Sequence, residues 1–329
     1  MKVVLPLAGL GTRLRPHTYS KPKPLVSVAG KTVLGHVLDS LDGLPIDEVI
    51  FITGYLGDQI EEYVRSRYSF PARFVEQTDL RGQAHAINLA SDFIDQPVLI
   101  IFVDTIVKAD LTRLLDTTSD GVLYVKEVDD PRRFGVAVLN DGQIVRLVEK
   151  PKTPVSNLAV IGVYYLRNWQ LLREALRDVI ALGIQTGGEY YLADALQLMI
   201  DRHARFEAWP VEAWEDCGTV QALVQTNRYL LSHGHDRQPT AAENTDNSII
   251  IPPVYVAPTA RIQNSVVGPD VSVADGVTIR DSIVRDSILS DGATISGVAL
   301  TESVVGSNAV VKGSFRRLNV GDASEVEVG

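Results

Sequence analysis

An α/β domain followed by a left-handed parallel β-helix is the architecture that three features of the sequence predict. Up to about Leu231, short aliphatic runs alternate with amphipathic stretches. A polar stretch without apolar pattern follows, Ser232 to Asn247. From Val256 onward, apolar residues recur every five or six positions.

The aliphatic runs Val3 to Leu7, Val49 to Thr53 and Val98 to Val103 read as strands buried on both faces. Between them Val33, Leu34, Val37, Leu38 and Leu41 share one helical face, as do Ile60, Tyr63 and Val64. That alternation calls for an α/β sheet with helices on both sides. The second grammar runs through Val256, Ile262, Val267, Val273, Ile279, Val284, Leu289, Ile295, Leu300, Val305 and Val311. A six-residue apolar step is one side of a triangular β-helix coil, and three to four coils are available. A small β-sandwich is the competing reading, disfavoured because no long run alternates with period two. The expected boundaries are 1–235 for the first domain, 236–253 for a linker and 254–329 for the β-helix. The flat, repetitive faces of such a helix invite self-association, so a homo-oligomer is expected.

The 329 residues include 31 basic and 41 acidic side chains, a formal charge of −10. No nucleic-acid partner and no membrane partner is expected from that balance. The apolar run at Met1 to Leu5 stops at Pro6 and is too short for a leader or a span. One cysteine, Cys217, excludes an internal disulfide framework and fits a reducing compartment, so a cytoplasmic location is expected.

The first strand runs into Leu7-Ala8-Gly9-Leu10-Gly11-Thr12-Arg13-Leu14, a glycine turn able to bring backbone N–H groups against phosphates. It is not a dinucleotide fingerprint, since Leu14 stands where the third glycine belongs. Gly30-Lys31-Thr32 is not a P-loop ending, since Leu25 occupies the position of its first glycine. Downstream, Pro22 and Pro24 stiffen the chain around Lys23, which can then aim a cation at a fixed point. Phosphoryl transfer needs such fixed charges.

The stretch Gly9 to Leu25 resembles the G-x-G-T-R-L…P-K-P-L signature of the sugar-1-phosphate nucleotidyltransferase family. The resemblance continues in order along nearly the whole chain. It implies a Rossmann-like nucleotidyltransferase domain with a mixed central sheet, plus the β-helix of the long forms. It also implies the substrates, a nucleoside triphosphate and a sugar 1-phosphate, and the cofactor, Mg²⁺.

Carried over by position, Leu7, Ala8, Gly9, Gly11, Thr12, Arg13 and Lys23 match the triphosphate loop. Gln77 and Gly82 match the pair that reads a pyrimidine base; a glutamine amide can donate to a base carbonyl and accept from the ring N–H. Asp104 and Asp216, the latter in Trp214-Glu215-Asp216-Cys217-Gly218-Thr219, match the two metal aspartates. Taken singly, an aspartate at a strand end is most often a cap or turn residue. Asp104 also matches a nucleotide-binding position. Gly135, Glu149, Lys150, Ile161, Gly162, Tyr164 and Glu189 match the sugar-phosphate side. Arg13, Lys23 and Lys150 are the expected catalytic cations.

Two positions depart from the family pattern. Gly187 replaces an arginine that helps hold the sugar phosphate, and Val103 replaces a glycine before the first metal aspartate. Among groups of the family, the long glucose-1-phosphate thymidylyltransferases are the most similar, through Gln77, the segment Asp130 to Val136 and the ending Leu318 to Asp322. Uridylyltransferases come next, and mannose-1-phosphate guanylyltransferases remain an alternative. A non-catalytic nucleotide-sugar sensor is the reading from another class. Acyl transfer by the β-helix is disfavoured, since no histidine follows His235. His17 and His36 are read as loop and helix-surface residues, His85 and Cys217 as packing, and Trp209 and Trp214 as core or cleft wall.

Overall fold

The computed structural model describes residues 1–240 and 245–313. The ending Leu318 to Asp322 therefore lies outside the described residues. The chain divides into two compact units. The first comprises Met1–Val26 and Lys31–Leu223, the second Ser27–Gly30 and the chain from Val224.

The first unit is built on a nine-stranded sheet. In chain order its strands are β1 (Lys2–Pro6), β2 (Glu48–Thr53), β3 (Ala72–Glu76), β4 (Val98–Ile101), β5 (Gly121–Glu127), β6 (Gly135–Asn140), β7 (Gln143–Glu149), β8 (Leu158–Leu166) and β9 (Phe206–Pro210). Their order across the sheet is β3-β2-β1-β4-β8-β5-β9-β7-β6. The four strands β3-β2-β1-β4 are parallel, with Val4 opposite Ile50 and Ile100. β8 is antiparallel to both β4 and β5, so the sheet is mixed, as the resemblance implied.

The helices are α1 (Val33–Asp39), α2 (Gly57–Arg67), α3 (Gln83–Leu89), α4 (Trp169–Ala181) and α5 (Leu192–Asp201). In α4, Leu172, Ala175, Leu176 and Val179 fall at i, i+3, i+4 and i+7 and are fully buried. Asn168 caps that helix by accepting the Leu171 N–H at 3.2 Å. One core cluster joins α3, α4 and α5 to the sheet through Val4, Ile50, Ile100, Leu123, Leu166 and Phe206. On the other face Phe51 stacks on Phe74, with ring centres 5.0 Å apart.

The second unit is a left-handed β-helix made of three parallel sheets. Ile262, Ile279, Ile295 and Val311 align in one of them, at steps of 17, 16 and 16 residues. The apolar positions expected from the sequence point inward, and Ile262, Val267, Val273, Ile279, Val284, Leu289 and Ile295 are fully buried. The corners are turned by residues in the left-handed region. Asn247, Asn264 and Asp281 stack at one corner with φ of 46°, 49° and 47°. Asp270, Asp286 and Glu302 stack at another with φ of 62°, 48° and 47°. Short polar side chains tolerate that conformation better than branched ones, and they bond one another up the stack: Asn247 Nδ2 donates to Asn264 Oδ1 at 2.9 Å.

Asn227 is wholly buried in this unit. Its Oδ1 accepts the Ala29 N–H at 2.9 Å and the Ser272 hydroxyl at 2.6 Å, and its Nδ2 donates to Asp270 O at 3.1 Å. These bonds bind the short segment Ser27–Gly30 to the coils. Among the described residues, no helix is long and apolar enough to cross a membrane.

Candidate active site

Two neighbouring cavities open over the carboxyl ends of β1, β3 and β4, where open α/β sheets place ligands. One has a volume of about 390 Å³, the other about 380 Å³. Gln83, Phe102 and Asp104 line both, so Asp104 stands at their boundary.

The smaller cavity gathers Leu7, Ala8, Gly9, Lys23, Gln77, Gly82 and Asp104. The loop after β1 begins with the Leu7 N–H donating to Ile52 O at 2.7 Å, which continues the parallel ladder. Lys23 opens a tight turn, Lys23–Leu25, between its two prolines. Its Nζ lies 3.3 Å from Asp104 Oδ2, and its side chain is mostly buried. Gly11 and Thr12 line neither cavity. They lie in the turn itself: the Thr18 hydroxyl donates to Gly11 O at 2.8 Å, and Leu14 is buried just beyond.

Gln77 follows β3 and is 5% exposed. Its amide nitrogen lies 3.2 Å from His85 Nδ1 and 3.4 Å from Gly82 O. Burial, with help from Arg81, pulls the His85 pKa below its ordinary value. Gly82 has φ 106°, and a Cβ there would sit 2.6 Å from Tyr190 O, so only glycine fits. The contact locks the loop after β3 to the segment that carries Glu189 and Tyr191, with Ala84 N–H donating to Tyr190 O at 2.9 Å.

Asp216 ends the short strand Ala213–Asp216, which pairs antiparallel with Thr105–Lys108 and sets Asp216 opposite Thr105. The Cys217 N–H donates to Asp104 O at 2.9 Å. The two aspartates, distant in sequence, thus meet at the larger cavity. Arg13 joins them there: a Cβ on Gly218 would be 2.8 Å from Asp216 Oδ1 and 3.1 Å from an Arg13 guanidinium nitrogen. Cys217 itself is buried, the small apolar role expected of it. Among the described residues, no group of three or more His, Cys, Asp or Glu is arranged to hold a metal. The donor set at Asp104 and Asp216 is all oxygen. It suits a hard ion that takes most of its ligands from phosphates and water.

Gly135, Glu149, Lys150, Ile161, Gly162 and Tyr164 line the larger cavity. Glu149 ends β7 opposite Gly135 at the start of β6. Burial raises its pKa against the pull of Lys150, with Asp194 and Glu189 adding to the rise. Lys150 is held at φ 43° before Pro151. Burial would lower its pKa, but the hydrogen bond to Tyr191 and the nearby carboxylates outweigh it and the net shift is upward. Glu189, matched by position to the sugar side, lines the smaller cavity instead, although its charge is felt at Glu149.

Gly187 and Gly188 have φ of 61° and 89° and form a two-residue turn closed by Thr186 N–H to Glu189 O at 3.0 Å. Both central residues are left-handed, which suits a Gly-Gly pair and not arginine. Tyr191 was not singled out from the sequence, yet it lines the cavity and binds Lys150. Its neighbour Tyr190 gave no stronger signal, so only the fold distinguishes them. Trp214 is cleft wall, edge-on to Phe134 with centres 5.1 Å apart. Trp209 instead lies in β9 and donates to Glu207 at 2.8 Å.

Comparison with known proteins gives three findings. A family model described as nucleotidyl transferase matches residues 2–233. Glucose-1-phosphate thymidylyltransferases of Streptomyces griseus and Streptomyces antibioticus are each 31% identical over 359 aligned positions, covering 100% of this chain and 99% of the relative. A solved structure of a UDP-glucose pyrophosphorylase complexed with UDP-glucose matches with a TM-score of 0.62 at 23% identity, over 70% of this chain and 98% of that one. At that identity the likeness is one of fold.

Proposed function

The chain belongs to the nucleotidyl transferase family, and from that premise we propose that it transfers a thymidylyl group from dTTP to glucose 1-phosphate, releasing pyrophosphate. Sugar-1-phosphate nucleotidyl transfer is the activity that its two full-length thymidylyltransferase relatives support. The observation that carries the reading is the pair of cavities sharing Asp104, with Lys23 beside it and Lys150 in the larger one. Two phosphorylated substrates need two adjoining chambers with a cation for each.

In the proposed reaction a sugar-phosphate oxygen attacks the α-phosphorus. That O–P bond forms as the bond to the bridging oxygen of the β-phosphate breaks, and pyrophosphate leaves with the electron pair. The phosphate nucleophile is already an anion, so no general base is needed. Lys150 orients the acceptor phosphate, Lys23 faces the triphosphate, and Arg13 adds positive charge from the Asp216 side. Glu149, poised beside Gly135, accepts from sugar hydroxyls. Asp104 and Asp216 would hold Mg²⁺. When bound, the ion neutralises charge on phosphate oxygens.

Full-length identity to two thymidylyltransferases favours dTTP over UTP. The two bases differ by one methyl, for which a pocket discriminates by only ~1–3 kcal/mol. Pyrophosphate release measured over dTTP, UTP, CTP, ATP and GTP against a set of sugar 1-phosphates tests the proposal. The highest kcat/KM is expected for dTTP with glucose 1-phosphate. Release with no pair would favour the non-catalytic sensor.

A further inference from the structure

We infer that His85 is a positioning residue that fixes which end of the Gln77 amide faces the nucleotide, and so selects bases carrying a ring N–H at the edge being read. The inference rests on Gln77 reading the base, as proposed above, and adds what determines the polarity of that reading.

A backbone carbonyl can only accept a hydrogen bond. Since Gly82 O lies 3.4 Å from the Gln77 amide, the nitrogen and not the oxygen must face it. The same nitrogen is 3.2 Å from His85 Nδ1. Its two N–H groups are then directed at two protein acceptors, and Nδ1 must carry no proton. The lowered pKa of His85 agrees with a neutral ring protonated on Nε2. Gln77 Oε1 is the atom left to meet a ligand in the smaller cavity. The sequence expectation that this amide both donates and accepts is thus narrowed to acceptance alone.

Thymine and uracil present N3–H between two carbonyls, and Gln77 Oε1 can accept from it. Cytosine presents an unprotonated N3, so lone pair would face lone pair. A site that leaves buried polar groups unpaired rejects a ligand strongly. His85 is the stronger of the two anchors, because 3.4 Å is at the long limit for the Gly82 bond. Its place is set by the start of α3, where Ala86 N–H donates to Gly82 O at 3.1 Å. Without an acceptor at position 85, the amide gains freedom to turn and donate to cytosine N3.

The test compares kcat/KM for dTTP, UTP and CTP, with glucose 1-phosphate saturating, in the intact protein and three variants. His85→Leu should cut the dTTP-to-CTP and UTP-to-CTP ratios by about tenfold or more, chiefly through the triphosphate KM. His85→Gln, whose side-chain oxygen can accept from Gln77, should restore most of the ratio; a merely structural histidine would show no such recovery. If His85→Leu does not fold, His85→Ala carries the same expectation. Gln77→Ala separates the two levels of the argument. Unchanged kinetics in Gln77→Ala would remove the base-reading site altogether. A collapsed ratio in Gln77→Ala, with a ratio kept within about twofold in His85→Leu or His85→Ala, would overturn the role of His85 alone.

Discussion

Lys150 donates to the Tyr191 hydroxyl at 2.7 Å, and its ammonium lies 4.7 Å from the centre of the same ring. Tyr191 is buried and stands immediately before α5. The lysine proposed to hold the acceptor phosphate is therefore held in turn by an aromatic side chain, three residues beyond the Gly187-Gly188 turn. Tyr191→Phe keeps the ring and loses the hydrogen bond. It should raise the KM for sugar 1-phosphate about three- to tenfold and leave the triphosphate KM within about twofold. Lys150→Ala should cost more, about ten- to a hundredfold. Lys23→Ala should show the reverse pattern, with triphosphate use affected most. Steady-state kinetics with each substrate varied in turn reads all three. A triphosphate defect in Tyr191→Phe would mean that Lys150 serves the other substrate.

Asp104→Asn and Asp216→Asn should each lower kcat by about 10³-fold or more under saturating Mg²⁺, since each removes a charged oxygen from the proposed ion site. Neither should shift Tm by more than a few degrees, because Asp104 is half-exposed and the strand pair that places Asp216 is held by backbone bonds. Near-normal turnover in both would mean that the ion is held elsewhere.

Glu48 begins β2 and binds two cations, Lys2 at 3.0 Å and Arg73 at 2.9 Å, with only 13% of its side chain exposed. Burial pushes its pKa up, but the bonds to Lys2 and Arg73 outweigh that and the net shift is downward from 4.5. A lowered folded-state pKa contributes stability that is complete above the unfolded value. That contribution is lost as pH falls from about 4.5 through the folded pKa. Glu48→Gln should cost about 1–2 kcal/mol at pH 7 and less at pH 3. Thermal melts of both proteins across that range would show it. A cost that did not shrink in acid would mean that charge is not the source.

Asn227→Ala should destabilise the second unit by about 2–4 kcal/mol. It orphans the Ala29 N–H and the Asp270 carbonyl while opening a small void. Urea unfolding followed by a tryptophan-independent probe, such as far-ultraviolet dichroism, should show an earlier transition for the β-rich part. An unchanged profile would place the strength of the segment's attachment elsewhere, for instance on Tyr255, whose ring packs against Gly30.

Three of the four parallel strands, β1, β2 and β4, were legible because they are buried on both faces and read as aliphatic runs. The edge strand β3, Ala72-Arg73-Phe74-Val75-Glu76, is only partly buried and was not. The β-helix was legible because each inward position repeats. Its corners were not: Asp270, Asp286 and Glu302 take left-handed backbone that their residue types permit but do not demand. At the site, the glycine turn and Lys23 stood out by residue type, and the two aspartates only through the resemblance to the family. His85 and Tyr191 did not, since each acts through a side chain brought to it by the fold. The assignment of Ser27–Gly30 to the second unit was equally hidden, because its partner Asn227 lies 198 positions away.

That last separation bears on how the molecule can be made. A chain leaving the ribosome exposes Ser27–Gly30 early, and every strand of the first sheet emerges before Asn227 does. The Ala29 N–H must meanwhile be satisfied by water, with the segment looped out and tethered a few residues beyond Lys23. The second unit is discontinuous in the chain, so a stop codon after the last helix residue of the first unit would not excise it cleanly. It would leave four residues of the missing unit, Ser27–Gly30, in the chain that remains. Residues made after the whole first sheet thus complete a piece of the chain's beginning.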